Sequence, residues 1–585
     1  TLAQDGSIIF DSTVGVSKQK YIEGYYLFWY LVSLSAGTAT ISHITADLPF
    51  QNIIDVWDGN FRDIAAAYKV VGAAVTDITL NVSNYSSYIE SDTGSYANLN
   101  LLASTSYLEV GFTSKQTALY VAVPDSYTNS TAATVSVYAW NGFSYKSVSS
   151  VSDGTLSNGK SLARSGVIAW TNADIDAEQK KTVAGSFPLY FYKIKWSAAL
   201  DISVRIYYIG GIPTSNDITN YSFGIMAADR LMLGCNNSYS KNSLIISAQD
   251  RPEVFNGTDT QAITFGQDDA LMCGAHVFAQ YSSNIYNIVL MFKAKETWIL
   301  QWNQSSSGVS WSRFCISPNI GCPAPRTLCT ASVIFEKNLM QAKSVAIWRA
   351  HDGIYISNGQ SPLKVSEDIK DVFDPNSTTK VNTSMVANEY SFIDEHRLEY
   401  HWCWASGSST TLDKEYVLDL NTWQWFTIDR GSGKYLQCGV KVADTYGTKY
   451  TYGFIDTGYI ERLEYGTTLD GSNITSTLQF GEMIPIEGNL MAYTMLEMAN
   501  LICIKKATNS TVTMTVYLDG LTSGTDYTFT ISDSTHAYAN VMKDIFSAPA
   551  IFYGIKLVHV SNAETKGFEP LALTFYYQKK RAHTR

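Results

Sequence analysis

Residues 228–255 read ADRLMLGCNNSYSKNSLIISAQDRPEVF, and this stretch decides the fold. Leu231-Met232-Leu233 forms an apolar strand, residues 236–242 a polar turn, and Leu244-Ile245-Ile246 a second apolar strand. The exit Gln249-Asp250-Arg251-Pro252 ends the pairing, because proline has no N–H to give a sheet ladder. Similar hairpins follow: 288–292 with 298–302, 345–348 with 354–357, 398–404 with 416–420 and 423–428, and 450–455 with 459–463. They start at 228, 288, 345, 398 and 450, a recurrence of 52 to 60 residues. Several short strands at a period slightly above the roughly 40–50 residues of a propeller blade predict a β-propeller over residues 213–585. An ordinary antiparallel β-domain with regular turns is the other reading. Strands at 496–504 with 512–518, and at 555–560 with 571–577, are expected to pair as a sixth blade or as a closing segment.

Composition agrees with an all-β chain. Of 585 residues only 16% are charged, against about 25% in ordinary soluble domains, and 38 are tyrosine. Tyrosine and threonine suit half-buried pleated surfaces. The best helix candidate is 60–70, with Ala65-Ala66-Ala67, and it carries no strong cap. No apolar run approaches the roughly 20 residues of a spanning helix. The most apolar run, YYLFWYLVSL at 25–34, has the length of a buried strand.

The net charge of −11 leaves no clustered Lys/Arg groove for gripping phosphates. The dense basic cluster is terminal, Lys579-Lys580-Arg581-Ala582-His583-Thr584-Arg585, and reads as a solvated tail or a partner contact. An acidic protein can still surround DNA, since like charge lets the polymer slide without sticking.

The chain contains an internal duplication. Thr1-Leu2-Ala3-Gln4-Asp5-Gly6-Ser7-Ile8-Ile9-Phe10 matches Ser161-Leu162-Ala163-Arg164-Ser165-Gly166-Val167-Ile168-Ala169-Trp170, and residues 27–36 match 189–198. Strands at 108–112, 118–123, 133–140 and 145–148 precede only the second copy. Residues 106–212 are therefore expected to form a complete β-sandwich of about eight strands. Residues 1–48 then form the C-terminal half of a first one, and 49–105 a connecting or first-blade β segment. The missing front half predicts about fifty more encoded residues before Thr1. Trp140-Asn141-Gly142 predicts a type I′ hairpin turn.

Catalytic constellations are weak throughout, and the chain is expected not to be an enzyme, with no catalytic, cofactor-binding or metal-binding residues and no cofactor. Carboxylates such as Asp268-Asp269 and Glu395 are plentiful, but a glycosidase needs two facing each other across a sugar cleft. His396 and His401 are five apart, which on a strand places them on opposite faces. The eight cysteines include no Cys-x-x-Cys pair and read as free, mostly buried thiols. Sequons at Asn81, Asn129 and Asn376 are expected by chance in a chain so rich in Ser and Thr. Gly154-Thr155-Leu156-Ser157-Asn158-Gly159-Lys160-Ser161 fits the phosphate-loop pattern, yet the strand at 167–170 leaves no room for the helix that such a loop requires. Trp29, Tyr30, Phe191, Tyr192 and Trp196 suit a sandwich core or, alternatively, sugar stacking.

Several motifs carry a resemblance. The unit Ala139-Trp140-Asn141-Gly142…Ser152-Asp153-Gly154-Thr155…Gly166-Val167-Ile168-Ala169-Trp170 resembles β-sandwich units of tailed-bacteriophage tail proteins. Asp229-Arg230-Leu231…Ser247-Ala248-Gln249-Asp250-Arg251-Pro252-Glu253, Lys295-Glu296-Thr297-Trp298, Asp352-Gly353-Ile354-Tyr355 and Tyr459-Ile460-Glu461-Arg462-Leu463 are similar to the propeller of short-tailed phage nozzle (tail hub) proteins. The resemblance implies a virion protein: a homohexamer, a ring of six copies below the portal and the tail adaptor protein. Its channel would pass double-stranded DNA without reading sequence, and its rim would carry tail fibres. The alternative is a glycan-binding adhesin or receptor-binding tail component.

Overall fold

The computed structural model describes residues 20–22, 25–27, 55, 57–83, 95–171, 178–215, 218–257, 259–281, 284–305, 308–334, 342–444, 447–466, 468–469, 471–485, 493–505, 510–531, 537–561 and 568–580. Nearly all the described chain that is regular is β-strand. It divides into two compact units, residues 1–271 with 305–308, and 272–304 with 309–585. The half-sandwich expected over 1–48 lies almost wholly outside the described residues. Within it, Lys20–Ile22 pairs antiparallel with Tyr25–Leu27.

The first unit contains a β-sandwich. One sheet has six strands, in the order Tyr145–Ser147, Val135–Trp140, Tyr190–Trp196, Tyr107–Phe112, Ala66–Val71 and Ala74–Asp77. The other has five: Ser149–Asp153, Gly166–Thr171, Gln116–Ala122, Tyr208–Pro213 and Arg62–Asp63. Period-two alternation builds this core. Val135, Val137 and Ala139 point inward, with Leu108, Val110, Ile194 and Trp196 on the same sheet, against Leu119, Ile168 and Trp170 of the other.

Two expectations fail here. The helix at 60–70 does not form; the segment supplies Arg62–Asp63 and Ala66–Val71 as strands. Ala67 is fully buried facing the core, and residues 66–70 pair with 107–111, so tertiary pairing overrides the alanine preference for helix. Segment 49–105 thus contributes strands to both sheets. The Asn141 hairpin does form, but with a four-residue loop between Trp140 and Tyr145 in place of a two-residue type I′ turn. The Asn141 side chain accepts from the Phe143 and Ser144 amides, and of the two residues only Gly142 has positive φ, +99°.

Gly111 faces Phe191 across the six-stranded sheet, and a Cβ there would meet the ring at 2.7 Å. Gly111→Val is expected to destabilise the sandwich by about 1–3 kcal/mol through overpacking, read as a lowered midpoint in chemical denaturation.

A four-stranded antiparallel sheet follows in the same unit: Tyr221–Ala227, Arg230–Asn236, Ser240–Ile246 and Gln261–Thr264. Its last loop is tied to the 55–62 turn. The Phe255 amide donates to Asp55 Oδ1 at 2.8 Å, Arg251 donates to the Asp58 carbonyl at 3.2 Å, and Arg62 donates to the Asn256 carbonyl.

The second unit begins with three more four-stranded sheets and one of three strands, spanning 271–317, 329–364, 390–428 and 436–462. Each is a meander of sequence neighbours. Successive sheets share a core. Phe292 and Val277 of the first pack with Trp348 of the second, whose Ile347 and Ile356 pack with Trp402 and Leu418 of the third. Phe392 and Cys403 of the third then pack with Leu436 and Ile455 of the fourth. Most inward positions are Trp, Tyr, Ile or Val, which is how short strands bury enough apolar area to hold sheet on sheet.

The C-terminal strands form a separate sandwich with a core of Leu501, Cys503, Val512, Met514, Phe529 and Leu557. The expected pairings do not occur. Thr494–Lys505 pairs with Tyr538–Asp544 and Phe568–Lys579, while Ser510–Leu518 pairs with Thr525–Ile531 and Tyr553–Ser561. Sequence neighbours lie in opposite sheets because their apolar faces meet across the core. Among the described residues no helix is long and apolar enough to cross a membrane.

Candidate functional site

Two groups of buried ionisable side chains look like chemistry at first sight, and both lie in the second unit. Strands Glu399–Trp404 and Lys414–Asp419 set His401 opposite Val417 and Glu415 opposite Cys403, so that His401 and Glu415 meet diagonally on one face. His401 Nδ1 is 2.8 Å from Glu415 Oε1, and Arg430 grips the same carboxylate with Nε at 2.6 Å and a terminal nitrogen at 2.9 Å. Glu399 lies 3.5 Å from His401 Nε2, and Phe392 stacks on the imidazole at 4.5 Å. Burial disfavours the imidazolium, but hydrogen bonds with Glu399 and Glu415 outweigh it and raise the His401 pKa. Burial also opposes ionised Glu415, yet His401 and Arg430 together hold it below the usual range. The result is a closed ion network, with His401 1% exposed and Glu415 4%. It has no room for a substrate. His396, by contrast, sits on an exposed turn, with Nε2 2.8 Å from the Lys449 carbonyl. The two histidines are kept apart, but not by strand alternation: His396 lies in the turn that precedes the strand carrying His401.

The second group was not foreseen. Arg349 Nε approaches Glu389 Oε2 at 3.2 Å, and the Trp402 indole donates to the same oxygen at 2.9 Å. Burial pushes the Glu389 carboxyl up to about 7, against the pull of Arg349 and Trp402. Phe373 stacks on Trp402, which stacks on Trp404, so the pair is walled in by rings between the 329–364 and 390–428 sheets. The available signal was an arginine inside the apolar run Ser344-Val345-Ala346-Ile347-Trp348-Arg349-Ala350.

The other candidates fall where simple physics puts them. Asp268 and Asp269 are exposed turn residues, and Glu395 pairs with Lys441 and Lys449. The phosphate-loop pattern is a sandwich loop. The Gly154 amide donates to Val167 O, the Thr155 hydroxyl donates to Asp153 and accepts from the Leu162 amide, and the Trp196 indole donates to Ser161. All eight cysteines are free, five of them buried. Among the described residues no group of three His, Cys, Asp or Glu side chains is placed to hold a metal ion.

The turns that carried the family resemblance prove to be built clasps. Arg230, 2% exposed, donates to Ser247 O at 2.8 Å, Asp259 O at 2.7 Å and Asp259 Oδ2 at 2.6 Å. Trp298 Nε1 donates to Glu296 at 2.8 Å, and the Thr297 hydroxyl to Ile320 O at 2.6 Å. The Tyr355 hydroxyl donates to Asp352 at 2.9 Å. Arg462 is held between the Tyr450 and Tyr465 rings, 3.8 and 4.3 Å from their centroids. Each motif fixes a hairpin of its sheet.

Exposed aromatics are scattered over the described residues, and three half-buried rings share the outer face of the six-stranded sheet. Lys193 sits 3.8 Å over the Tyr107 ring, while Lys181 sits 4.7 Å over Trp140 and 4.4 Å over Tyr145. Lys181 also pairs with the buried Glu109 at 3.5 Å. These rings are capped by ammonium groups, so their faces are not free to stack on a sugar.

No family profile matches the chain, and no curated protein matches it. Solved structures with some likeness include an exo-β-1,3-galactanase from Phanerochaete chrysosporium, at 8% identity and TM-score 0.21 over 60% of this chain and 95% of that one. A bifunctional GH43-CE protein from Bacteroides eggerthii matches at 9% and 0.20 over 63% and 64%. A glycoside hydrolase family 43 arabinoxylan arabinofuranohydrolase from Bacillus subtilis matches at 8% and 0.20 over 61% and 95%. Likeness at this level carries no argument about fold or activity.

Proposed function

We propose that this chain is a structural virion protein, the tail nozzle of a short-tailed bacteriophage. In this reading the sheets at 221–264, 271–317, 329–364, 390–428 and 436–462 are five blades of a β-propeller, and the sandwich at 62–213 is one of a duplicated pair. The observation that carries it is the run of consecutive meander sheets whose cores are shared from each sheet to the next over 271–462. Their hairpins are locked by the residues that resemble the nozzle family. Six copies would form a ring below the adaptor, and tail fibres would attach at its rim. Buried ion networks and aromatic stacks suit a wall that must resist deformation while DNA passes. The surrounding acidity limits adhesion of the polymer.

The adhesin alternative rests on exposed rings such as Phe143 and Phe187, which stand apart from the lysine-capped Tyr107, Trp140 and Tyr145. Gold-labelled antibody against this chain, applied to particles from its source, is expected to mark the foot of the tail on its axis. Label confined to peripheral spikes would reject the nozzle assignment.

A further inference from the structure

The open part of the sandwich's outer face is basic on a chain that is acidic overall. Lys181, Lys193 and Lys195 share it with two carboxylates, the buried Glu109 and, at the far edge of the same rung, the exposed Asp77. Lys193 and Lys195 alternate on one strand and so point the same way, half-buried among Tyr107 and Tyr138. Lys195 makes no ion pair among the described residues. Burial, and then the charge of Lys195, lower the Lys193 pKa, as expected of cations crowded without enough counter-charge. A flat, cationic face whose rings are already covered recognises by charge. It calls for an acidic protein surface more than a sugar ring.

The chain carries such a surface. The short turn Glu367–Phe373, continued by Asp374, is solvent-facing and holds Glu367, Asp368, Asp371 and Asp374 against a single Lys370. Glu367 has Lys364 at 3.6 Å, whereas Asp368 and Asp371 have no ion pair among the described residues. The turn stands on Val372, which is buried in the core shared by the 329–364 and 390–428 sheets, so its carboxylates are presented from a fixed base.

We propose that the Lys193/Lys195 face of one copy docks the Asp368/Asp371 turn of a second copy. The contact is heterologous, so it repeats from copy to copy and closes into a ring where the rotation allows. This inference rests on the ring reading of the function and adds the surfaces that would join the ring.

Charge-swapped full-length chains test it by mass photometry across protein concentration and salt. Wild type is expected to self-associate, and less so as salt rises. Lys193→Glu/Lys195→Glu, and separately Asp368→Lys/Asp371→Lys, are each expected to weaken association by about tenfold or more, because like charges then face each other. An equimolar mixture of the two variants is expected to restore association, each swapped face finding a swapped turn. Unchanged midpoints of thermal unfolding show that the variants fold. Wild-type association that neither variant weakens overturns the proposal, as does a wild type that stays monomeric at every salt and concentration. A face that instead binds polygalacturonate, and loses it in Lys193→Glu/Lys195→Glu, hands the surface to an acidic glycan and also overturns it. If a ring is still seen on particles, the nozzle reading survives that failure.

Discussion

Glu415→Ala is expected to destabilise the second unit by about 3–5 kcal/mol, the cost of leaving a buried charge without its partner. Arg430 loses both of its short contacts to the carboxylate, and His401 keeps only Glu399 at 3.5 Å. The pH dependence follows from the two shifts. Glu415 is held below its ordinary 4.5, so its contribution is present above that value and is lost as pH falls through the lowered one. His401 is held above its ordinary 6.5, so its contribution is complete below 6.5 and is lost as pH rises through the raised value. Wild type therefore gains most from the network between these two ordinary values. Urea denaturation of Glu415→Ala should show its largest deficit there, and a smaller one once the pH has passed the raised value at which His401 gives up its proton. A deficit under about 1 kcal/mol at every pH would mean the network is solvated and without structural consequence.

Arg349→Met is the second large effect, with the opposite pH profile. The substitution keeps an apolar stem for Phe373 and Trp402 and removes the cation from Glu389, which is fully buried. Even with Arg349 present, burial holds the Glu389 carboxyl at about 7, so its ionised form is already costly above that pH. A raised acid contributes stability below its unfolded value of 4.5 and loses it as pH rises through the folded value. Without Arg349 the folded value climbs further. The loss is expected to be small near pH 5 and about 3–5 kcal/mol at pH 8. Arg349→Met/Glu389→Leu should recover most of it, because replacing both members of a buried pair by apolar groups is close to neutral. A double variant as unstable as the single one would mean that packing, and not charge, sets the cost.

Much of this was legible in the residues. The five hairpins stand where apolar runs alternate with turn residues, since a strand that buries one face must show period two and each turn needs its Gly, Asn or Asp. The sandwich core was legible for the same reason: Val135, Val137 and Ala139 declare their face. Pairing between distant segments was not. Residues 66–70 look helical alone and become strand only because 107–111 offers an edge to pair with. The C-terminal strands have the right apolar alternation, but alternation names a face and not a neighbour, so 496–504 and 512–518 read as partners while the structure pairs each with other strands. The buried charges were the least visible. His401 shows in the sequence only its spacing from His396, while Glu415 and Arg430, 14 and 29 residues further along, give no local sign of converging on it. Glu389 meets Arg349 across two sheets, a relation carried by packing alone.

The central claim is that copies of this chain form a ring with a channel at the foot of a tail. A symmetric reconstruction of the native particle from its source tests it most directly. The account predicts six copies of this chain around the tail axis, enclosing a channel. A reconstruction that places this chain in peripheral spikes, away from the axis, would contradict it.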